Sequence, residues 1–167
     1  MSLLKSIQDG EGKTIEFKIE LPNSNTLAKT IIAFSNTGGG KLIIGVNNQG
    51  EIIGLDSDVN IFELKDKVAS IIYETCYPTV LPDIYTTTID GHLLLIIEVY
   101  RGNLLPYYLK SKGKSEGVYI RVGATNRKAS HENILELERQ RMNISFDQEA
   151  NREVDLDSLD ITSLKGR

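Results

Sequence analysis

The sequence predicts an α+β fold, a mixed, hairpin-rich β-sheet packed with about three helices. Three observations lead there. Short apolar or period-two segments recur along the chain, as strands require. Turn residues join several of them into hairpins, Asn47-Asn48-Gln49-Gly50 and Asp90-Gly91 being the clearest. Helical spacing is confined to a few separate stretches, so strands outnumber helices.

The elements follow in order. Met1–Gly12 opens with a short helical pattern, Leu3, Leu4 and Ile7, that ends at Asp9-Gly10. Thr14–Leu21 alternates Ile15, Phe17, Ile19 and Leu21 with Glu16, Lys18 and Glu20, a half-buried strand with Glu16 and Lys18 on its polar face. Pro22–Asn25 turns, and Asn25 or Thr26 caps an apolar helix that runs to Ser35. Asn36-Thr37-Gly38-Gly39-Gly40 breaks that helix. Leu42–Val46 and Glu51–Leu55 then read as a hairpin. Ile61, Leu64, Val68, Ile71 and Ile72 recur at three and four residues, placing a second helix over Asn60–Thr75. Ile84–Ile89 and Leu93–Val99 form the next hairpin, and Val118–Val122 a later strand between two polar loops, Ser111–Gly117 and Gly123–Lys128. Ser130 caps a last helix, His131–Met142.

At 167 residues the chain fits one domain with a real core. We divide it into a folded domain, 1–146, and an acidic linker-like tail, 147–167. Cys76 is the only cysteine, which leaves no intrachain disulfide and no cysteine-based zinc cluster, and favours a cytoplasmic setting. No apolar run approaches a membrane span, and Met1–Gly10 lacks a signal-peptide core. The net charge is −4. Asp147–Asp160 carries six acids against Arg152, a balance of −5, so the remainder stands at −4 − (−5) = +1. A nearly neutral body excludes a uniformly basic surface and leaves room for a local basic patch.

Several motifs occur in one order: Glu11-x4-Glu16-Phe17-Lys18, then Ala33-Phe34-Ser35-Asn36-Thr37-Gly38-Gly39-Gly40, Ile44-Gly45-Val46, Ile53-Gly54, and Tyr119 to Arg127 (YIRVGATNR). Together they resemble the Schlafen AlbA-type domain family, over about Glu11 to Met142. The resemblance implies a bacterial, DNA-binding domain at the N-terminus of a transcriptional-regulator-like protein, with a further C-terminal region in the full-length protein. It also implies an alternative, a Mg²⁺- or Mn²⁺-dependent endoribonuclease with three carboxylates. Two of these match Glu11 and Glu16. The third position falls at Asn47 and Asn48, whose amides bring no charge to a hard cation. The leading reading is therefore a non-catalytic module without a cofactor.

The nucleic-acid candidates are Lys18, Arg121, Thr125, Asn126, Arg127 and Lys128, because guanidinium and ammonium groups beside amides and hydroxyls suit phosphates. Lys110, Lys112 and Lys114 extend the strip, and Tyr107, Tyr108 and Tyr119 offer stacking faces. DNA is the expected ligand and RNA the alternative. The competing fate of Arg121 is a pair with a carboxylate such as Glu16 or Glu98, and that of the tyrosines is packing. The glycine run is not a Walker A loop: it leaves a helix for a strand, so a negative helix end faces the turn. His92 and His131 suggest no catalytic pair. A third reading is a protein-interaction or homo-oligomerisation module that pairs through a hairpin edge.

Overall fold

The structure, a computed structural model, describes residues 2–159, with side chains through residue 147. Its centre is a four-stranded mixed sheet of order β1-β2-β5-β4. The strands are β1 (Ile15–Lys18), β2 (Gly40–Ile44), β4 (Asp83–Ile89) and β5 (His92–Val99). β1 and β2 run parallel, joined by the crossover helix α2 (Ser24–Asn36), while β2–β5 and β5–β4 are antiparallel. Two small ribbons flank the sheet: β3 (Cys76–Tyr77) with β6 (Tyr108–Leu109), and β7 (Tyr119–Val122) with β8 (Thr125–Lys128). The remaining helices are α1 (Leu3–Asp9), α3 (Ile61–Thr75), α4 (Gly113–Glu116) and α5 (His131–Leu159).

The sheet's period of two divides the core into two layers. On one face Leu42, Ile44, Leu95 and Ile97 meet Leu27, Ala28, Ile31, Ile32 and Phe34 of α2 and Val68 and Ile72 of α3. On the other, Phe17, Ile43, Leu94 and Ile96 meet Ile7 of α1. α2 is buried over most of its length, and Leu27 to Phe34 are fully enclosed apart from Lys29. Its cap is Asn23, whose Oδ1 accepts from Thr26 N at 2.8 Å, two residues earlier than the sequence suggested. Ser130 caps α5 as expected, exchanging hydrogen bonds with Asn133 in a capping box.

The hairpin at Asp90-Gly91 matches expectation, with both turn residues at positive φ (52° and 79°) as a tight two-residue loop requires. Three expectations need correction. Glu51–Leu55 is not a strand of the sheet and contributes one bridge, Val46 to Ile52. Both edges of β2 are already taken by β1 and β5, so a third partner has no free ladder to join. Thr125–Lys128 is a strand, not a loop. Its polar side chains are accounted for: Asn126 bonds Arg121 and Thr30, while Thr125, Arg127 and Lys128 are exposed. α5 continues to Leu159, well beyond Met142. That stretch lacks an apolar stripe, but its Gln, Glu, Ala and Arg residues favour helix and no Gly or Pro interrupts it. Residues 160–167 of the expected tail lie outside the described residues.

The glycine turn does steric work. A Cβ on Gly40 would sit 2.6 Å from the Phe34 ring, and one on Gly39, at φ +75°, would sit 2.7 Å from Val99 O. Gly38 faces open space at an ordinary φ. Alanine at Gly39 or Gly40 is therefore expected to cost about 1–3 kcal/mol or more, and alanine at Gly38 almost nothing, as read by denaturant midpoints.

Candidate nucleic-acid interface

β7 and β8 form a hairpin closed by Gly123 at φ +59°, with Tyr119 opposite Lys128, Arg121 opposite Asn126 and Val122 opposite Thr125. Tyr119, Arg121, Asn126 and Lys128 share the face that packs on α2, while Val122, Thr125 and Arg127 are exposed on the other. The last turn of α2 hooks this hairpin in place. Asn36 Nδ2 donates to Tyr107 O and Tyr119 O, both at 2.9 Å, and its Oδ1 accepts from Tyr107 N at 2.7 Å. Thr37 Oγ1 accepts from Arg121 N at 3.1 Å.

Arg121 lies inside the molecule. Its side chain is fully buried, its guanidinium sits 5.0 Å from the Phe34 ring centroid, and every N–H is engaged. Nε donates to Gly12 O, Nη2 to Gly12 O and Ile15 O, and Nη1 to Asn126 Oδ1 and Glu16 Oε1. The Glu16 carboxylate is buried too, rather than on a solvated face; its Oε2 accepts from Thr30 Oγ1 at 3.3 Å and lies 3.8 Å from Lys18 Nζ. Asn126 completes the circuit by donating to Thr30 Oγ1 at 2.9 Å. Arg121 thus holds the hairpin with no side-chain donor left for a phosphate, and Asn126 is tied to Arg121 and Thr30.

The other candidates stay accessible. Lys18 is about a third exposed at 37%. Lys128 pairs with Glu116 at the surface; that hydrogen bond, with its charge, raises the Lys128 pKa and lowers that of Glu116. Such a pair is weak and exchangeable. Arg127 has only Thr125 Oγ1 as a partner, at 3.2 Å, with no carboxylate among the described residues. Lys29 was not singled out from sequence, yet its Nζ lies 5.1 Å from the Tyr119 ring centroid, beside Lys128 across the ribbon. Its signal was the one charge in a helix otherwise free of charged residues. Lys18, Lys29 and Lys128 therefore surround the α2-facing side of the hairpin, and Arg127 and Thr125 occupy its outer side. Lys110 and Lys114 are drawn elsewhere, to Tyr73 and Glu138. Tyr107 is buried, and Tyr108 packs on Tyr77.

The residues present do not fit a divalent cation. Glu11 Oε2 accepts from Phe17 N at 2.8 Å, and Glu16 is bound to Arg121. Asn47 is the hub of a turn: its Oδ1 accepts from Gln49 N and Glu51 N, and its Nδ2 donates to Glu51 Oε1. Among the described residues no group of three or more His, Cys, Asp or Glu side chains is placed to hold a metal ion. Millimolar Mg²⁺ or Mn²⁺ is accordingly expected to leave the thermal midpoint unchanged; a rise of several degrees would show a site that this arrangement does not provide.

A mixed sheet with a buried crossover helix and a small polar ribbon locked on by an arginine defines an α+β domain of the Schlafen AlbA class. The chain belongs to that family: the profile described as Schlafen, AlbA_2 matches residues 11–130, from the carboxylate that caps β1 to the cap of α5. Two solved structures share the fold. One is the DIP2311 protein from Corynebacterium diphtheriae, at 23% identity and a TM-score of 0.57, covering 82% of this chain and 27% of that one. The chain thus spans about a quarter of that protein's length. The other is the N-terminal domain of a RecG-related protein from Nitrosomonas europaea, at 22% identity and a TM-score of 0.51, covering 78% of this chain and 95% of that one. A comparison with curated proteins finds no match.

Proposed function

We propose that this domain binds nucleic acid, with duplex DNA as the preferred ligand, through the β7–β8 hairpin and the lysines around it. The observation that carries the reading is the placement of Arg127 on one side of the ribbon and Lys18, Lys29 and Lys128 on the other. A two-stranded ribbon fits the DNA major groove; its exposed turn would enter the groove while the accessible cations around the ribbon meet the flanking phosphates. The exposed turn, Val122-Gly123-Ala124-Thr125, is small and uncharged, suited to approach between the walls. The Schlafen AlbA family assignment agrees with a nucleic-acid ligand, as does the fold shared with a protein described as related to an ATP-dependent DNA helicase. In this reading the domain is the N-terminal, non-catalytic part of a longer cytoplasmic protein of the transcriptional-regulator type.

With few contacts and an acidic chain, binding is modest and steeply salt-dependent. Anisotropy titrations of a labelled duplex should show each of Lys29→Ala, Arg127→Ala and Lys128→Ala lowering the slope of log K against log salt by about 1, with affinity losses of roughly threefold to tenfold at low salt. Absence of binding at low salt, or a double Lys29→Ala/Arg127→Ala variant that binds like the wild type, contradicts the proposal.

A further inference from the structure

The two edges of the central sheet are built differently. β1 is short, and side chains bond two of its outward groups. Lys41 N donates to Thr14 O and Gly45 N to Lys18 O, so residues 14, 16 and 18 face β2 while Ile15 and Phe17 face out. Phe17 N donates to Glu11, and Ile15 O accepts from Arg121. This edge is closed to another strand.

β4 has no such closure. Its seven residues, Asp83–Ile89, contain no Lys, Pro, Gly or bulge, and from Ile84 to Ile89 there is no charge at all. Five of those six residues are β-branched, and the sixth is Tyr85, the composition that most favours pairing. The alternation of the ladder shows which groups are free. Leu42 faces Ile97 across β2–β5, so Ile96 faces β4, Tyr85 bonds inward, and the N–H and C=O of Ile84, Thr86 and Thr88 point out of the sheet. None of these has a hydrogen-bond partner among the described residues.

We propose that β4 pairs with β4 of a second copy of this chain, antiparallel about a two-fold axis at Thr86, to give a continuous eight-stranded sheet. A two-fold axis perpendicular to a sheet keeps each face in register only when paired residue numbers sum to an even value, because opposite residues must point to the same side. The sum 172 pairs Thr86 with Thr86 and Ile84 with Thr88 in both directions. Each of the three outward residues then meets an outward residue, so three pairs exchange two hydrogen bonds each. Tyr85 lies opposite Thr87 and Asp83 opposite Ile89, and no like charges face each other. Pro82, the next outward position, lacks an N–H and ends the pairing there. The apolar layers also continue across the junction, because Ile84 packs on the α2 face and Tyr85 and Ile89 on the α1 face. Leu81, 83% exposed, falls opposite the second copy's Asp90-Gly91 turn and is covered there. Self-complementarity of this kind selects a second copy over an unrelated strand.

The test uses the whole chain in sedimentation equilibrium from about 1 to about 500 μM, with amide exchange followed at high concentration. The wild type should be a dimer with slow exchange at Ile84, Thr86 and Thr88. Thr86→Pro removes an N–H that no intrachain bond uses, so it should leave the circular dichroism unchanged while raising the dimer dissociation constant at least about tenfold. Thr88→Lys, at an exposed side chain, should do the same should the proline variant fail to fold. A wild-type monomer across the range, a dimer that survives both variants, or fast exchange at those three amides overturns the proposal. Duplex affinity at low salt tests the hairpin reading separately, since no hairpin residue is altered.

Discussion

The buried pair of Glu16 and Arg121 is the contact on which the rest of the structure depends. It joins the edge of the central sheet to a hairpin 105 residues further along the chain. A guanidinium removed from water must have its charge matched and all its donors engaged, or it costs several kcal/mol. Here Glu16 supplies the charge, and two backbone carbonyls and Asn126 take the remaining donors. The Phe34 ring beneath and the C-terminal end of α2 beside it add favourable electrostatics. The cation is therefore a structural hub, and its neighbours hold their positions through it.

That arrangement changes what the family motifs mean in this chain. In the run from Ala33 to Gly40, Ser35 bonds Ile31 O, Asn36 bonds Tyr119 of β7 and Tyr107 just before β6, and Thr37 bonds Ala33 O and Arg121 N. Gly39 and Gly40 allow β2 to pass against Val99 and Phe34. Glu11 closes a strand edge. Each is a polar or small residue placed where backbone would otherwise be left unpaired or crowded. What those residues leave accessible around the ribbon is Arg127 on its outer side and Lys18, Lys29 and Lys128 around its α2-facing side.

The parts of the fold with strong local signals were legible in the sequence. α3 followed from apolar spacing, β4–β5 from Asp90-Gly91, and the start of α5 from Ser130. The parallel pairing of β1 with β2 was not legible, because it is set by how α2 crosses the sheet and leaves no local mark. β8 was missed because Thr-Asn-Arg-Lys shows no alternation of apolar and polar residues; its inward side chain is an amide that bonds Arg121 and Thr30. The pair of Arg121 with a carboxylate was foreseen only as one of two fates. Alternation in Thr14–Leu21 placed Glu16 and Phe17 on opposite faces, but both faces of β1 turned out to be covered. Lys29 escaped notice because the apolar residues on both sides of it, Leu27, Ala28 and Ile31 to Phe34, make the segment read as interior.

The most direct measurement of the central claim is a double-mutant cycle on Glu16 and Arg121, read by denaturant unfolding. A buried structural pair predicts that Glu16→Gln and Arg121→Met each cost about 3–5 kcal/mol, and that the double variant loses clearly less than their sum. Single losses within about 0.5 kcal/mol, with strictly additive behaviour, would contradict it and return both residues to the candidate site.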